Sequence, residues 1–234
     1  MSRSFSFKQF TIHQDGAAMK LGIDSVLLGA WVNTKGCETL LDVGTGTGIL
    51  ALMLAQKTPN AKIHAIDIDL DALNCARENF ENAPFANRLT LSHESFQSHD
   101  PNKIYQLIIS NPPYFSNGIE PNIKSRRTAR FDTHLSLSEL FQHSFDHLAA
   151  SGTLQIILPA NREEESITLS RDYKLFLTRK CAIIPVRGRE KNRILLSFGK
   201  EQKPLVMEEI VIREKDNSFT EEFKTLTSDF YTKL

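Results

Sequence analysis

The sequence lacks most of what would staple, anchor or strongly charge a chain. Its 234 residues include three cysteines, Cys37, Cys75 and Cys181. That number is odd and the spacing wide, which excludes a disulfide framework and a zinc knuckle. No apolar run reaches membrane-spanning length, and even TLQIILPA (153–160) is far too short. The first residues, MSRSFSFKQF, have neither the apolar centre nor the small-residue cleavage site of a secretory signal. Lysine and arginine number 28 and aspartate and glutamate 28, so net charge is zero. Nucleic-acid binding by bulk charge is therefore disfavoured, although a local basic patch is not. There is no repeat, no low-complexity tract and no Pro/Gly-rich linker. These absences leave a reduced, cytoplasmic, single-domain protein, with no membrane association and no protein partner implied.

What is present is an alternation of short apolar runs with helical patterns. TLLDV (39–43), AKIHAID (61–67), RLTLS (88–92), YQLIIS (105–110) and TLQIILP (153–159) are aliphatic at both parities and read as buried strands. A helix over 48–57 opens at a glycine-rich turn. In the next one Ala72, Leu73, Ala76 and Phe80 form one apolar face. Ser136 and Glu139 have capping-box spacing at the start of a helix near 136–150. Such alternation implies an α/β fold whose parallel sheet is covered on both faces and binds ligands at the carboxyl ends of its strands. CAIIPV, RILLSF and EEIVIR, followed by FTEEFKTLTSDFY, suggest a sheet edge with antiparallel strands and a final helix.

Asp42-Val43-Gly44-Thr45-Gly46-Thr47-Gly48 sits where a strand ends and a helix begins. Glycines there allow a tight turn and close approach of backbone to ligand. The dinucleotide fingerprint needs G-x-G-x-x-G, whereas position 49 is Ile and the spacing is G-x-G-x-G. An acid just before the loop suits an ammonium group better than phosphates. Asp67 follows Gly48 by 19 residues, at the end of the next strand. A carboxylate in that place takes the hydroxyls of a ribose, and Ile68 beside it covers an adenine face. Helix capping falls to Asp69 or Asp71 instead.

Asn111-Pro112-Pro113-Tyr114 follows the strand YQLIIS directly. Two prolines make a rigid turn without backbone donors. The Asn111 amide oxygen and the Pro112 carbonyl are then two fixed acceptors, matching the two donors of a planar NH2 group. Tyr114 offers an aromatic face for a planar base or amide. Orientation and proximity carry such a reaction, and no strong base is needed. The bland reading is a mere turn at a strand end.

DVGTGTG, then IDID, then NPPY, in that order, resembles the class I S-adenosylmethionine-dependent methyltransferases that modify amino groups. FKQFTI, MKLGIDSVLLGAW, LIISNPPY, RILLSF and IVIR…FTEEFKTLTSDFY extend the likeness over nearly the whole chain, to the bacterial tRNA-valine adenine-N6 methyltransferases. These methylate the adenosine immediately 3′ of the anticodon. The resemblance implies a Rossmann-like, seven-stranded, mixed but mostly parallel sheet with helices on both faces. It implies one domain over 1–234, made of an N-terminal flap and helix region (1–36), a catalytic core (37–200) and a C-terminal strand and helix (201–234). The implied cofactor is S-adenosylmethionine and the implied partner tRNA. Lys20, Gly22 and Asp24 match the segment that closes over the methionine end, Asp42, Gly44 and Gly46 the methionine loop, and Asp67 with Ile68 the adenosine side. Asn111 lies against the cofactor as well as the target, with Pro112 and Tyr114 catalytic and Pro113 and Tyr114 on the substrate side. One departure is visible: where the family has an acid near the cofactor adenine, this chain has Ser95, with Glu94 beside it.

Two basic clusters remain. Lys124, Arg126, Arg127 and Arg130 follow the tetrapeptide, with the three arginines taken as substrate contacts, and Arg187, Arg189, Lys191 and Arg193 precede RILLSF. Both suit phosphate contacts and equally suit ordinary solvated surface. His143 and His147 lack a third ligand of matching spacing, so no metal is expected. Phe5, Phe7 and Phe10 fit core packing, or a flap near the base pocket. Two further readings compete with the tRNA enzyme. A glutamine or ribosomal guanine methyltransferase would carry a recognition domain before the glycine loop. A dinucleotide-binding module would leave NPPY without a role.

Overall fold

The computed structural model of the chain describes residues 4–14, 22–113 and 135–233. Lys20, Tyr114, Lys124, Arg126, Arg127 and Arg130 lie outside these residues. A short antiparallel hairpin comes first, β1 (Ser4–Ser6) with β2 (Thr11–His13). The main sheet is built from β3 (Thr39–Val43), β4 (Lys62–Asp67), β5 (Leu89–His93), β6 (Tyr105–Ser110), β7 (Leu148–Pro159), β8 (Phe176–Val186), β9 (Arg193–Gly199) and β10 (Val206–Arg213). The helices are α1 (Ile23–Trp31), α2 (Ile49–Lys57), α3 (Leu70–Glu81), α4 (Leu137–His147), α5 (Glu163–Asp172) and α6 (Glu221–Thr227). None of the described helices is long and apolar enough to cross a membrane.

Strand order is β10-β8-β9-β7-β6-β3-β4-β5, with β9 antiparallel to both neighbours and every other pair parallel. Strands buried on both faces must be apolar at both parities, and β6 obeys this rule. Leu107 and Ile109 join the core under α1, α2 and α6, while Ile108 joins the core under α4 and α5. The expected seven strands become eight. The EEIVIR segment forms β10, which lies at the edge as read from the sequence but parallel to β8, and is held by more than its ladder. Glu208 accepts the Trp31 indole N–H at 2.7 Å and the Arg179 Nε–H at 2.9 Å, and the Arg179 guanidinium lies 4.0 Å from the Trp31 ring centroid. This three-residue clasp joins α1, β8 and β10.

Local signals explain the helix ends. Ser136 and Glu139 form the reciprocal capping box at α4, and Asp69 caps α3 through the amides of Asp71 and Ala72. Helix α1 ends where Lys57 Nζ donates to the carbonyls of Ala30 and Val32, at 2.8 and 2.6 Å. The final helix is shorter than its sequence pattern and starts at Thr220, which caps the Phe223 amide. Phe7 and Phe10 are buried and stacked at 4.8 Å between centroids, so the N-terminal aromatics pack as core, with Phe5 at the surface.

Phe141 is fully buried and meets Phe198 edge-on at 5.0 Å. Phe141→Ala is expected to cost roughly 3–5 kcal/mol. Urea denaturation would show a lower midpoint at unchanged slope, and a loss below about 1 kcal/mol would contradict this packing.

Candidate active site

The two central strands end together. Val43 pairs with Ser110, and the Ser110 hydroxyl donates to the Val43 carbonyl at 2.9 Å. From β3 the chain builds outward through β4 and β5, then returns to the opposite side as β6. Connections reverse between β3 and β6, and open α/β sheets bind ligands at such a switch point, beyond the carboxyl ends of the strands. The glycine loop leaves one strand there and Asn111 leaves the other.

The loop is lashed to β4, since the amides of Gly44 and Thr45 both donate to the Ile66 carbonyl, at 2.9 and 3.0 Å. Its glycines have different duties. Gly48 has φ +83°, and a Cβ there would stand 2.5 Å from Phe80, so it secures close packing of the loop on α3. Gly44 and Gly46 also have positive φ, but a Cβ on either meets nothing within 4 Å. They border open space, as a loop that receives a ligand must.

Asp42 has no exposed surface. Its Oδ2 accepts the Thr45 hydroxyl at 2.6 Å and the Ala51 amide at 3.1 Å, fixing the loop and the first turn of α2. Its Oδ1 has no hydrogen-bond partner among the described residues. Burial pushes the carboxyl up to about 7, against the pull of those two bonds. A buried oxygen of this kind suits a cationic N–H donor.

Asp67 ends β4. Its Oδ2 accepts the Gly46 amide at 2.8 Å and its Oδ1 the Asp69 amide at 2.9 Å, while burial raises its pKa. Each carboxylate oxygen keeps a second lone pair for a hydroxyl donor. Ile68 is half-buried next to it, its carbonyl 3.0 Å from His93 Nε2. Asp42 and Asp67 are thus two carboxylates that could hold the ammonium and ribose of S-adenosylmethionine, and the open space at Gly44 and Gly46 fits that group.

Asn111 is half-buried, and its Nδ2 donates to the Ser25 hydroxyl of α1 at 3.0 Å. That bond turns the carboxamide so that its nitrogen faces α1. Pro112 is buried and Pro113 exposed. Gly22 is the extended N-cap of α1, and Asp24 in its first turn accepts Arg193 Nε–H at 2.8 Å. Ser95 shares a hydrogen bond with Ser98 at 2.9 Å, and Glu94 turns to His99 and His64, at 3.3 and 3.7 Å.

Two residues with a part in this arrangement carried no signal by type. Ser25 stands inside the GIDS run that suggested cofactor closure, yet nothing in that run singles it out. Asn79 is fully buried, donates to the carbonyls of Thr47 and His13 at 2.9 and 3.0 Å, and accepts the His13 amide at 2.8 Å. It binds the N-terminal hairpin to the glycine loop, and its trace in the sequence is a polar residue on the apolar face of α3. Of the second basic cluster, Arg187 pairs with Glu214, Lys191 with Glu163 and Arg193 with Asp24. Arg189 alone has no acidic partner among the described residues.

Asp42 has a pH signature. Its carboxyl is raised in the folded state, so its contribution is fully present below the unfolded value near 4 and disappears as pH rises through about 7. The cofactor-free protein should lose thermal stability over that window, and Asp42→Asn should lose less. Melting curves from pH 4.5 to 8 check this, and parallel profiles for the two proteins would refute it.

Comparisons with known proteins give the chain's family and fold. The model of the methyltransferase small domain family matches residues 17–176. The tRNA1(Val) (adenine(37)-N6)-methyltransferase of Histophilus somni (strain 129Pt) is 39% identical over 232 residues, 98% of this chain and 97% of its own. That of Trichodesmium erythraeum is 40% identical over 233 residues, 98% of each chain. Among solved structures, a predicted O-methyltransferase from Agrobacterium tumefaciens superposes with a TM-score of 0.70 at 17% identity, over 88% of this chain and 96% of that one. The ribosomal protein L11 methylase of Lactobacillus delbrueckii gives 0.57 at 19% identity, over 80% and 83%. These two likenesses concern the fold. With a family model over most of the catalytic core and relatives matching end to end, the chain belongs to the methyltransferase small domain family, among the tRNA1(Val) (adenine(37)-N6)-methyltransferases.

Proposed function

We propose that this protein transfers a methyl group from S-adenosylmethionine to N6 of an adenine in tRNA, adenine 37 of tRNA1(Val) being the position named for its relatives. The observation that carries the reading is the pairing of Val43 with Ser110, which sets the glycine loop and Asn111 at adjoining strand ends. When bound, S-adenosylmethionine supplies an electrophilic methyl group on a positively charged sulfur.

The chain's own residues divide the remaining work. Asp42 Oδ1 accepts the cofactor's ammonium, Asp67 its ribose hydroxyls, and Ile68 and Ser95 border its adenine. Gly44 and Gly46 leave room for the methionine end, and Gly22 and Asp24 bring α1 alongside, with Lys20 in the segment before it. Asn111 Oδ1 and the Pro112 carbonyl receive the two hydrogens of the target amino group, which holds that nitrogen in line for transfer. Ser25 is a positioning residue, because its bond to Nδ2 decides which half of the Asn111 carboxamide is presented. Pro113 and Tyr114 are assigned to the target base, and Arg126, Arg127 and Arg130 to tRNA phosphates. The whole of 1–234 acts as one catalytic unit, in the cytoplasm where tRNA is found.

The test is transfer of labelled methyl from S-adenosylmethionine to bulk tRNA from cells lacking this protein, followed by nucleoside analysis. Label is expected in N6-methyladenosine, with Asn111→Ala slower by roughly 100-fold or more. Label in protein or ribosomal RNA, and none in tRNA, would overturn the substrate assignment.

A further inference from the structure

We propose that this protein carries a divalent transition-metal site formed by His64, Glu94 and His99, apart from the methyl-transfer centre. The residues come from mid-β4, from the position just after β5 and from the turn leading to β6, and no spacing in the sequence announces them. One ligand atom from each lies within 4.8 Å of the other two. Glu94 Oε1 is 3.7 Å from His64 Nε2, and Glu94 Oε2 is 3.3 Å from His99 Nδ1. A tetrahedral zinc ion with ligands at about 2.0–2.2 Å holds them about 3.3–3.5 Å apart. The Glu94 pairs are already near that spacing, and the widest pair, within 4.8 Å, closes by up to about 1.5 Å on binding.

Two further observations point to an ion. The His99 side chain has no exposed surface, and its Nδ1 is buried without a well-directed hydrogen bond, although it faces Glu94. Behind the rings, the Tyr105 hydroxyl stands 2.8 Å from His64 Nδ1 and 2.9 Å from His99 Nε2. Its oxygen has two lone pairs. Accepting an N–H from each outer nitrogen leaves both inner nitrogens as lone pairs, that of His99 facing Glu94 and that of His64 taken up by the Ser92 hydroxyl. Metal-bound imidazoles are held by outer partners in this way. The Ser92 hydroxyl, 2.8 Å from His64 Nε2, yields that lone pair to the ion. Glu94 is 24% exposed and gives the entry side.

Two imidazoles and one carboxylate select a zinc-like ion over magnesium or calcium, which take oxygen ligands. Ion binding would clamp the turn that begins at Glu94 and Ser95, the stretch assigned to the cofactor adenine. The site itself stands independently of the methyl-transfer reading.

The experiment is equilibrium dialysis of the full chain against Zn2+, with metal analysis and melting curves. One bound equivalent and a raised Tm are expected. Tyr105→Phe, which keeps all three ligands, should weaken binding by roughly 10–100-fold. Glu94→Gln, a change at a partly exposed side chain, and His99→Gln should abolish stoichiometric binding, while His143→Gln should retain it. Circular dichroism identifies any variant that fails to fold, and Glu94→Gln then decides. Absence of a bound equivalent in the native protein, or its persistence in folded Glu94→Gln, would overturn the site.

Discussion

A carboxylate without solvent contact at the end of a central strand demands compensation, and much of this site is arranged around Asp42. One oxygen takes the Thr45 hydroxyl and the Ala51 amide, which shapes the glycine loop and starts α2. The other is left buried and unbonded among the described residues. Desolvation of this group accounts for a carboxyl raised to about 7. A bound ammonium would reverse that cost, so the acid that organises the glycine loop is also the one that gains most from the ligand.

The rest of the site follows from strand geometry. Because β3 and β6 are adjacent and parallel, residues that leave their carboxyl ends come within reach of one small molecule. The Ser110–Val43 bond keeps these ends in register. Helix α1 then packs across them and supplies Ser25 to Asn111, while its own far end is secured by Lys57 and by the Trp31–Arg179–Glu208 clasp. The eighth strand thereby takes a structural part: through Glu208 it fastens the helix that orients Asn111.

Much of this was legible in the residues. Four of the five strands read from aliphatic runs, β3, β4, β6 and β7, are inner strands buried on both faces, whereas β5 is an edge strand in which Leu89 and Leu91 alternate with Thr90 and Ser92 and none of whose residues is fully buried. The capping box of α4 was readable because both of its members are local in sequence. Other features depended on distant contacts. Helix α5 opens with a run of three glutamates and has little apolar periodicity, so its pattern gave no sign of a helix. Its Glu163 is held instead by Lys180 and Lys191, from two other segments. The basic residues from Arg187 to Arg193, at the start of β9 and just before it, suited phosphate contacts as well as surface, and three of them proved to be paired with acids remote in sequence. Ser25 and Asn79 are ordinary polar residues until α1 and α3 are packed. EEIVIR was legible as an edge strand, but its direction was not: β10 lies parallel to β8, and the antiparallel pairing belongs to β9.

Asp42 also provides the most direct test. S-adenosylmethionine would be titrated by calorimetry into the native protein and into Asp42→Asn between pH 5.5 and 8. If the buried carboxylate meets the cofactor's ammonium, native affinity rises with pH toward about 7 and levels off above it. The variant then binds more weakly and without that rise. Equal affinity for both proteins across the range would contradict the account.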